Sequence, residues 1–382
     1  MIKINHIAGL VFASLAVLAA AGGRSLAQSD GSGGVTDDRP TVVFFYAGME
    51  PADPWTQIIV DIAHAAAEDL EIDFELIYSG SSRKEIFDAI SARIEQQEKP
   101  DYALIVNYRM GAEQALQYLD QHGVKSFLFN ADLTEEGETL IGGPREKLPH
   151  WIGRLIPDDE RAGYDLATYL IAEAQRRKPG KTLRMVGISG SYASTAAVKR
   201  VEGLRRAVAE SENVDLTQVV TARWTPHIAR QKYSLLKNRY GDFDIVWVAN
   251  DSMAMAVLEE IDPETEEVLV GGMDWTPEAL EALDDGRLSA SMGGHILDMG
   301  FSLAILKRYD EGCDFAIANA DASLDSVLSI MTTEKEAFEA LVVNRDWRSL
   351  DFSQITCEMV QAEDFETISI DMFFGIDNEP RG

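Results

Sequence analysis

Two polar residues, Asn250 and Asp251, directly follow an apolar run in the segment IVWVANDSMAMAVLEEI. Residues 245–249 are typical of a buried strand, and helical spacing begins at Ser252. Asn and Asp commonly cap a helix, but at the end of a strand they can also face a ligand. Both uses remain open for this pair, because one residue can cap while the other points into a cleft.

Side chains of similar chemistry recur where other predicted strands end. The candidates for ligand binding are Trp55, Asn107, Asn130, Trp224, Asn250, Asp274, Trp275 and His295. Trp rings can stack on the apolar faces of sugar rings, and Asn and Asp can hydrogen-bond to neighbouring hydroxyls. This composition predicts a polyol site. The structural alternatives are a Trp packed at a helix start, an Asn in a turn or cap, and a buried His whose hydrogen bonds are satisfied.

Catalytic patterns are weak in this sequence. The segment Gly187-Ile188-Ser189-Gly190-Ser191 superficially suggests a nucleophile elbow but lacks its spacing. Acidic pairs such as Glu259-Glu260 are more typical of solvated helix faces. The six histidines show no metal-ligand spacing. We therefore expect a binding protein that is not an enzyme and that has no metal and no cofactor.

Strand-like and helix-like segments alternate from residue 42 to residue 309, with a longer irregular stretch at 130–157. Such alternation predicts parallel sheets covered by helices on both faces. Because two blocks of it flank the irregular stretch, we expect an α/β protein with two doubly wound parallel-sheet lobes. Ligands of such sheets bind outside the carboxyl ends of the strands, where the candidate side chains lie.

We also expect the following domain boundaries. Lobe 1 is expected at residues 41–131 and continues at about 294–355, whereas lobe 2 is expected at 132–293. The segment 356–382 is a C-terminal tail that the pattern assigns to neither lobe. Its short mixed elements do not continue the alternation.

The N-terminus has the features of a cleaved secretory signal at residues 1–27. Lys3 precedes an apolar run at 7–21, and Ser25-Leu26-Ala27 offers small residues at a cleavage site. The alternative is a retained anchor, but the run is short for a bilayer-spanning helix. The polar, Gly-rich residues 28–40 predict a flexible leader, and we expect a soluble, exported protein.

The net charge of −30 is strongly acidic. It disfavours nucleic acid and anionic membrane surfaces as partners. The two cysteines, Cys313 and Cys357, can form a disulfide in an exported protein. Two buried free thiols remain the alternative.

Three segments carry a resemblance to a known family: GISGSYASTAAVKRVEGLRRAV, VWVANDSMAMAVLEEI and VLVGGMDWTPEALEALDDGRLSASMGG. They resemble successive blocks of the type I periplasmic binding proteins, which include ribose- and galactose-binding proteins and the autoinducer-2 receptor. The resemblance covers roughly residues 41–312. It implies two lobes joined by a three-segment hinge, with a ligand clamped between them. It places Trp55, Asn107, Asn250 and Asp274 at ligand-binding positions.

Two departures from the ribose-type pattern concern the pocket. Ribose-type members have an Arg within the block that reads Ser194-Thr195-Ala196-Ala197-Val198 in this chain, where the nearest Arg is Arg200. They also have a Gln where this chain has Gly294, next to His295. The resemblance therefore does not imply a ribose pocket in detail.

The resemblance implies a function in the periplasm. A monomeric solute-binding protein would capture a small polar ligand, a sugar or related polyol, by hinge closure and present it to the permease of an ABC importer. The alternative is a ligand-sensing subunit that signals to a membrane histidine kinase or chemoreceptor. The stretch at 130–157 and the residues after Gly312 exceed the small sugar binders, and this extra surface suits the sensing alternative.

Overall fold

The structure is a computed structural model that describes residues 39–48, 54–265, 267–317, 321–332, 344–362, 365 and 367–370. The predicted signal peptide at 1–27 and nearly all of the predicted leader at 28–40 lie outside these ranges. Among the helices of the described residues, none is both long and apolar enough to cross a bilayer.

Lobe 1 is built on a seven-stranded sheet in which every described pairing is parallel. Its strands are β1 (Thr41–Tyr46), β2 (Asp73–Tyr78), β3 (Tyr102–Ile105), β4 (Lys125–Phe129), β5 (Trp151–Pro157), β11 (Ser323–Val327) and β13 (Thr367–Ser369). Their order is β2-β1-β3-β4-β5-β11-β13. The order reverses between β1 and β3, which is the topological switch point of a doubly wound sheet.

Lobe 2 repeats this arrangement with a six-stranded sheet. Its strands are β6 (Leu183–Ser189), β7 (Val214–Thr221), β8 (Ile245–Val248), β9 (Leu269–Met273), β10 (Ala290–Gly293) and β12 (Ser329–Met331). Their order is β7-β6-β8-β9-β10-β12. The edge strand β12 is antiparallel to β10, and the other pairings are parallel. The switch point of this lobe lies between β6 and β8.

Helices cover both sheets. Lobe 1 carries α1 (Pro54–Asp69), α2 (Arg83–Ile94), α3 (Ala112–Gln121), α4 (Glu135–Ile141), α10 (Asp298–Asp310) and α11 (Cys357–Val360). Lobe 2 carries α5 (Asp159–Arg177), α6 (Thr195–Glu210), α7 (Pro226–Tyr240), α8 (Asp251–Leu258) and α9 (Pro277–Asp284). Short 3-10 turns occur at His295–Leu297, Phe315–Ile317, Trp347–Ser349 and Phe352–Gln354. Polar caps begin several helices, as where Ser82 and Glu85 form a capping box at α2.

The helix pair α5–α6 packs closely because both helices present glycine at the contact. A Cβ on Gly163 would overlap the backbone of Arg200, and a Cβ on Gly203 would overlap the backbone of Glu160. This close approach sets the position of α6, and with it the Arg200 side chain, which points into lobe 2.

Three short segments join the lobes within the described residues. The chain passes from β5 to α5 at residue 158, from β10 to α10 at 294–297, and from β11 to β12 at 328. The predicted fold class of two parallel-sheet α/β lobes is confirmed by this architecture.

The strand pairing corrects the predicted boundaries of the lobes. Strand β5 pairs with β4 in lobe 1, so lobe 2 begins after Pro157 and not at residue 132. Strand β12, which lies inside the predicted continuation of lobe 1 at 294–355, pairs with β10 in lobe 2. The stretch at 130–157 contains the helix α4 and the strand β5. The sequence pattern did not predict them because Gly and Pro residues interrupt it.

The described part of the C-terminal tail belongs to lobe 1. Strand β13 pairs with β11, and a disulfide joins Cys313, just after α10, to Cys357 in α11. The Cα atoms of the two cysteines are 5.4 Å apart. Phe352 packs so closely on Gly300 of α10 that a Cβ on this glycine would overlap the ring. The described part of the tail is therefore joined to lobe 1 by the disulfide and by strand pairing, and the segment just before it packs on α10.

Candidate ligand-binding site

Asp274 lies at the carboxyl end of β9 with a left-handed φ of 125°. Its backbone N–H donates to the carbonyl of Met292 at 2.7 Å, which anchors the turn to β10. The side chain is only 4% exposed. Its Oδ1 atom lies 3.4 Å from Nε2 of His295 and 3.9 Å from Nη1 of Arg200.

Arg200 reaches this point from α6 and is buried. Its Nε donates to Oδ1 of Asp159 at 2.7 Å, and its Nη1 donates to the carbonyl of Ala249 at 2.7 Å. Burial opposes the positive charge, but the carboxylates of Asp159 and Asp274 outweigh it and raise the pKa of Arg200. The guanidinium is thus a charged, fixed support for the loops after β8 and β9.

His295 lies in the crossing segment that follows β10 and is 2% exposed. Burial and the charge of Arg200 lower its pKa to about 3, so the imidazole is neutral at pH 7. Its Nδ1 atom is buried and has no hydrogen-bond partner among the described residues. The preceding Gly294 has a φ of 112°, which allows the chain to turn sharply before the ring.

Two Trp rings flank these polar groups. Trp55 of α1 is half-buried, and its ring centroid lies 6.1 Å from that of His295 at an interplanar angle of 35°. Its Nε1 atom is buried without a hydrogen-bond partner in the described part of the chain. Trp224, in the loop after β7, covers Gly190 and lies 5.7 Å from the guanidinium of Arg200. The five residues at this junction are called the interlobe cluster: Trp55, Arg200, Trp224, Asp274 and His295.

The two polar residues that follow β8, Asn250 and Asp251, make different contacts. Oδ1 of Asn250 accepts from the N–H of Met253 at 3.1 Å, so Asn250 caps α8. Asp251 is fully buried and accepts from Oγ of Ser291 at 2.8 Å and from the N–H of Thr276 at 3.1 Å. Burial and the nearby Asp274 raise the pKa of Asp251 to about 8. Asp251 therefore ties together the ends of β8, β9 and β10.

Three predicted residues serve structural contacts in this structure. Oδ1 of Asn107 accepts from the N–H of Ala112 at 3.0 Å, and its Nδ2 donates to the carbonyl of Asp132 at 2.5 Å. Asn130 turns the chain with a φ of 65°. Trp275 is buried in lobe 2, where its Nε1 donates to the carbonyl of Ser291 at 2.9 Å and its ring covers Gly293. The hydrogen-bonding groups of Asn107 and Trp275 are thus engaged within their own lobes.

Sequence reasoning missed Asp159 and gave Arg200 no ligand-binding role. Asp159 carried only the signal of an acidic residue at a helix start. Its contact with Arg200 joins residues 41 positions apart, which no local pattern predicts.

Comparison with known proteins agrees with this architecture. The sequence profile described as a periplasmic binding protein domain matches residues 46–306. The chain is 28% identical over 138 residues to the ribose import binding protein of Haemophilus influenzae and 27% identical over 188 residues to that of Bacillus subtilis. These matches cover 36% and 46% of this chain and 45% and 59% of the two relatives, so about half of each relative is spanned.

A solved structure gives the same result over a longer span. The periplasmic sugar-binding protein from Pseudomonas fluorescens is 26% identical to this chain, with a TM-score of 0.73, and the match covers 86% of this chain and 98% of that chain. The named relatives are binding proteins, which confirms the prediction that this chain is not an enzyme. Because the family profile matches more than half of the chain, the chain belongs to the type I periplasmic binding protein family.

Proposed function

We propose that this chain is an exported binding protein that captures a sugar or related polyol between its lobes and presents it to an ABC importer. The interlobe cluster carries the proposal. It combines two indole rings, which can stack on the apolar faces of a sugar, with a carboxylate that accepts hydrogen bonds from hydroxyls. The buried Nε1 of Trp55 and Nδ1 of His295, which have no partner among the described residues, supply further polar contacts.

The charges of the site favour a neutral ligand. Arg200 is engaged by Asp159 and by a backbone carbonyl. The lowered pKa of His295, about 3, keeps this ring uncharged at pH 7. The cluster therefore offers no surplus positive charge for a sugar acid or a sugar phosphate. Asp274 instead suits a ligand that donates hydrogen bonds from hydroxyl groups.

The placement of the rings supports hinge closure. Trp55 belongs to lobe 1 and Trp224 to lobe 2, so a ligand between them touches both lobes only when the lobes are together. Such a ligand binds the closed form better and shifts the population towards it. The closed shape is then the signal for the membrane partner.

The importer role rests on the relatives. Two are named ribose import binding proteins, which favours import over a sensing role for the same closed shape. Residues 194–198 lack an Arg, and a Gly-His pair stands at 294–295, so we do not restrict the proposal to ribose. The apolar N-terminal segment at 1–27 would direct export to the periplasm.

A thermal-shift screen followed by calorimetry tests the ligand class. The exported chain is mixed with D-ribose, L-arabinose, D-galactose and myo-inositol, and with D-galacturonate and ribose 5-phosphate as charged counterparts. At a ligand concentration of 100 Kd, binding should stabilise the fold by about 2.7 kcal/mol. We expect saturable stabilisation by at least one neutral compound and none by the anions.

Two results would contradict the proposal. One is binding of the anionic compounds in preference to every neutral one. The other is chemical alteration of a bound sugar, detected by chromatography of the ligand after incubation, because this outcome would indicate catalysis.

A further inference from the structure

A hydrogen bond joins the two lobes directly. Oγ1 of Thr195, the first residue of α6 in lobe 2, donates to the backbone carbonyl of Asp132 in lobe 1 at 3.0 Å. Both residues are half-buried. The start of α6 does not need this hydroxyl, because Ser194 is the cap and its Oγ accepts from the N–H of Ala197 at 3.4 Å.

Lobe 1 holds the acceptor in a fixed position. Oδ1 of Asp132 accepts from the N–H of Leu133 and from Nη1 of Arg154, both at 2.8 Å. Nδ2 of Asn107 donates to the same carbonyl that Thr195 uses, at 2.5 Å. A carbonyl oxygen has two lone pairs and can accept both bonds. The loop after β4 therefore presents a preorganised acceptor to the opposite lobe.

We infer that Thr195 and Asp132 form a latch that stabilises the closed arrangement of the lobes without any contribution from a ligand. The two residues belong to different lobes, so opening of the cleft must break their bond. The contact between Asn107 and Asp132 lies within lobe 1 and persists in both forms. Asn107, at one of the positions predicted to bind ligand, thus acts as a positioning residue for the latch.

The latch sets how much of the protein is ready to hold its ligand. An intramolecular hydrogen bond stabilises by about 0.5–1.5 kcal/mol, which corresponds to a factor of about 2 to 12 in an equilibrium constant. Loss of the latch should lower the ratio of closed to open molecules by this factor. The apparent affinity for any ligand of the cleft should fall in proportion when most molecules are open.

Single-molecule energy transfer in the full exported chain, without ligand, tests this inference. Dyes are attached at Leu140→Cys in α4 and Tyr192→Cys before α6, two exposed positions on opposite lobes. Cys313 and Cys357 are bonded to each other, so the introduced thiols react selectively. Thr195→Val removes the hydroxyl and keeps the shape, and Thr195→Ser is the matched control that keeps the hydroxyl.

We expect two states in the parent protein. The high-transfer state should be depleted about 2- to 12-fold relative to the low-transfer state in Thr195→Val, and the ratio in Thr195→Ser should be close to that of the parent. A single low-transfer state in the parent, an unchanged ratio in Thr195→Val, or an equal loss in both variants would each overturn the latch. Matching circular dichroism melting curves establish that the variants are folded.

Discussion

Asp274 combines burial, charge and an unfavourable backbone conformation. A non-glycine residue at a φ of 125° costs on the order of 1–3 kcal/mol and persists only where its surroundings enforce it. The hydrogen bond from its N–H to Met292 and the burial of its side chain provide that enforcement. Strain of this kind concentrates at ligand clamps, and the strained turn aims the carboxylate at His295 and Arg200.

Replacement of this carboxylate should abolish most ligand binding while leaving the fold intact. In Asp274→Asn we expect the Kd for the sugar identified by the screen to rise at least about tenfold, because a hydrogen bond to a charged group contributes about 1.5–3 kcal/mol. Calorimetry measures the Kd. Asp285→Asn is the matched control, since Asp285 is exposed and follows α9. Equal affinities in the two variants would remove Asp274 from the site.

His295 should make the fold sensitive to acid. Its pKa is about 3 in the folded chain against 6.5 for an unperturbed His. As the pH falls from 6.5 towards 3, the unfolded chain therefore takes up a proton that the folded chain does not, and stability is lost. His295→Gln should weaken this loss. Urea unfolding at several pH values measures it, and the exposed His227 supplies the control His227→Gln. Parallel pH profiles for the parent and His295→Gln would contradict the prediction.

Most elements could be predicted from the sequence because apolar spacing differs between strands and helices. The alternation predicted from residue 42 to residue 309 agrees with the order of strands and helices over most of this range. The prediction missed β5, which follows Gly142, Gly143, Pro144 and Pro149, and it missed β12, which has three residues. A strand this short carries too little pattern to be recognised.

The glycine contact between α5 and α6 should be intolerant of a methyl group. Gly203→Ala forces the helices apart or strains the backbone, and overpacking of this kind costs about 1–3 kcal/mol. Denaturant unfolding should show this loss, and ligand affinity should fall with it because Arg200 moves with α6. In the control Gly143→Ala the nearest atom to the new Cβ is 3.8 Å away. Equal stabilities of the two variants would show that the helices yield without cost.

The disulfide should stabilise the attachment of the tail. The double variant Cys313→Ser, Cys357→Ser opens a loop with a sequence separation of 44, and the chain-entropy argument gives a loss of about 4 kcal/mol. Denaturant unfolding of the double variant, and of the parent with and without a reductant, measures the effect. The reduced parent should match the double variant. No difference between oxidised and reduced parent would show that the non-covalent contacts, including the pairing of β13 with β11, hold the tail without the disulfide.

At the scale of the whole molecule, the candidate site is assembled by the fold and not by any one segment of the chain. Trp55, Arg200 and His295 are far apart in sequence, and the fold brings them to the junction of the lobes. The rule that ligands bind at strand ends predicted Trp55, Asp274 and His295 for this reason. It also predicted Trp275 and Asn107, whose side chains bond to backbone atoms at Ser291 and Asp132. These distant partners could not be predicted from the sequence.

A crystal structure with the sugar that gives the largest thermal shift tests the central claim most directly. We predict the sugar between the lobes, in contact with the ring of Trp55 or Trp224, with a hydroxyl donating to the carboxylate of Asp274. A sugar bound outside the junction of the lobes, or one that leaves Asp274 without a ligand contact, would contradict the account.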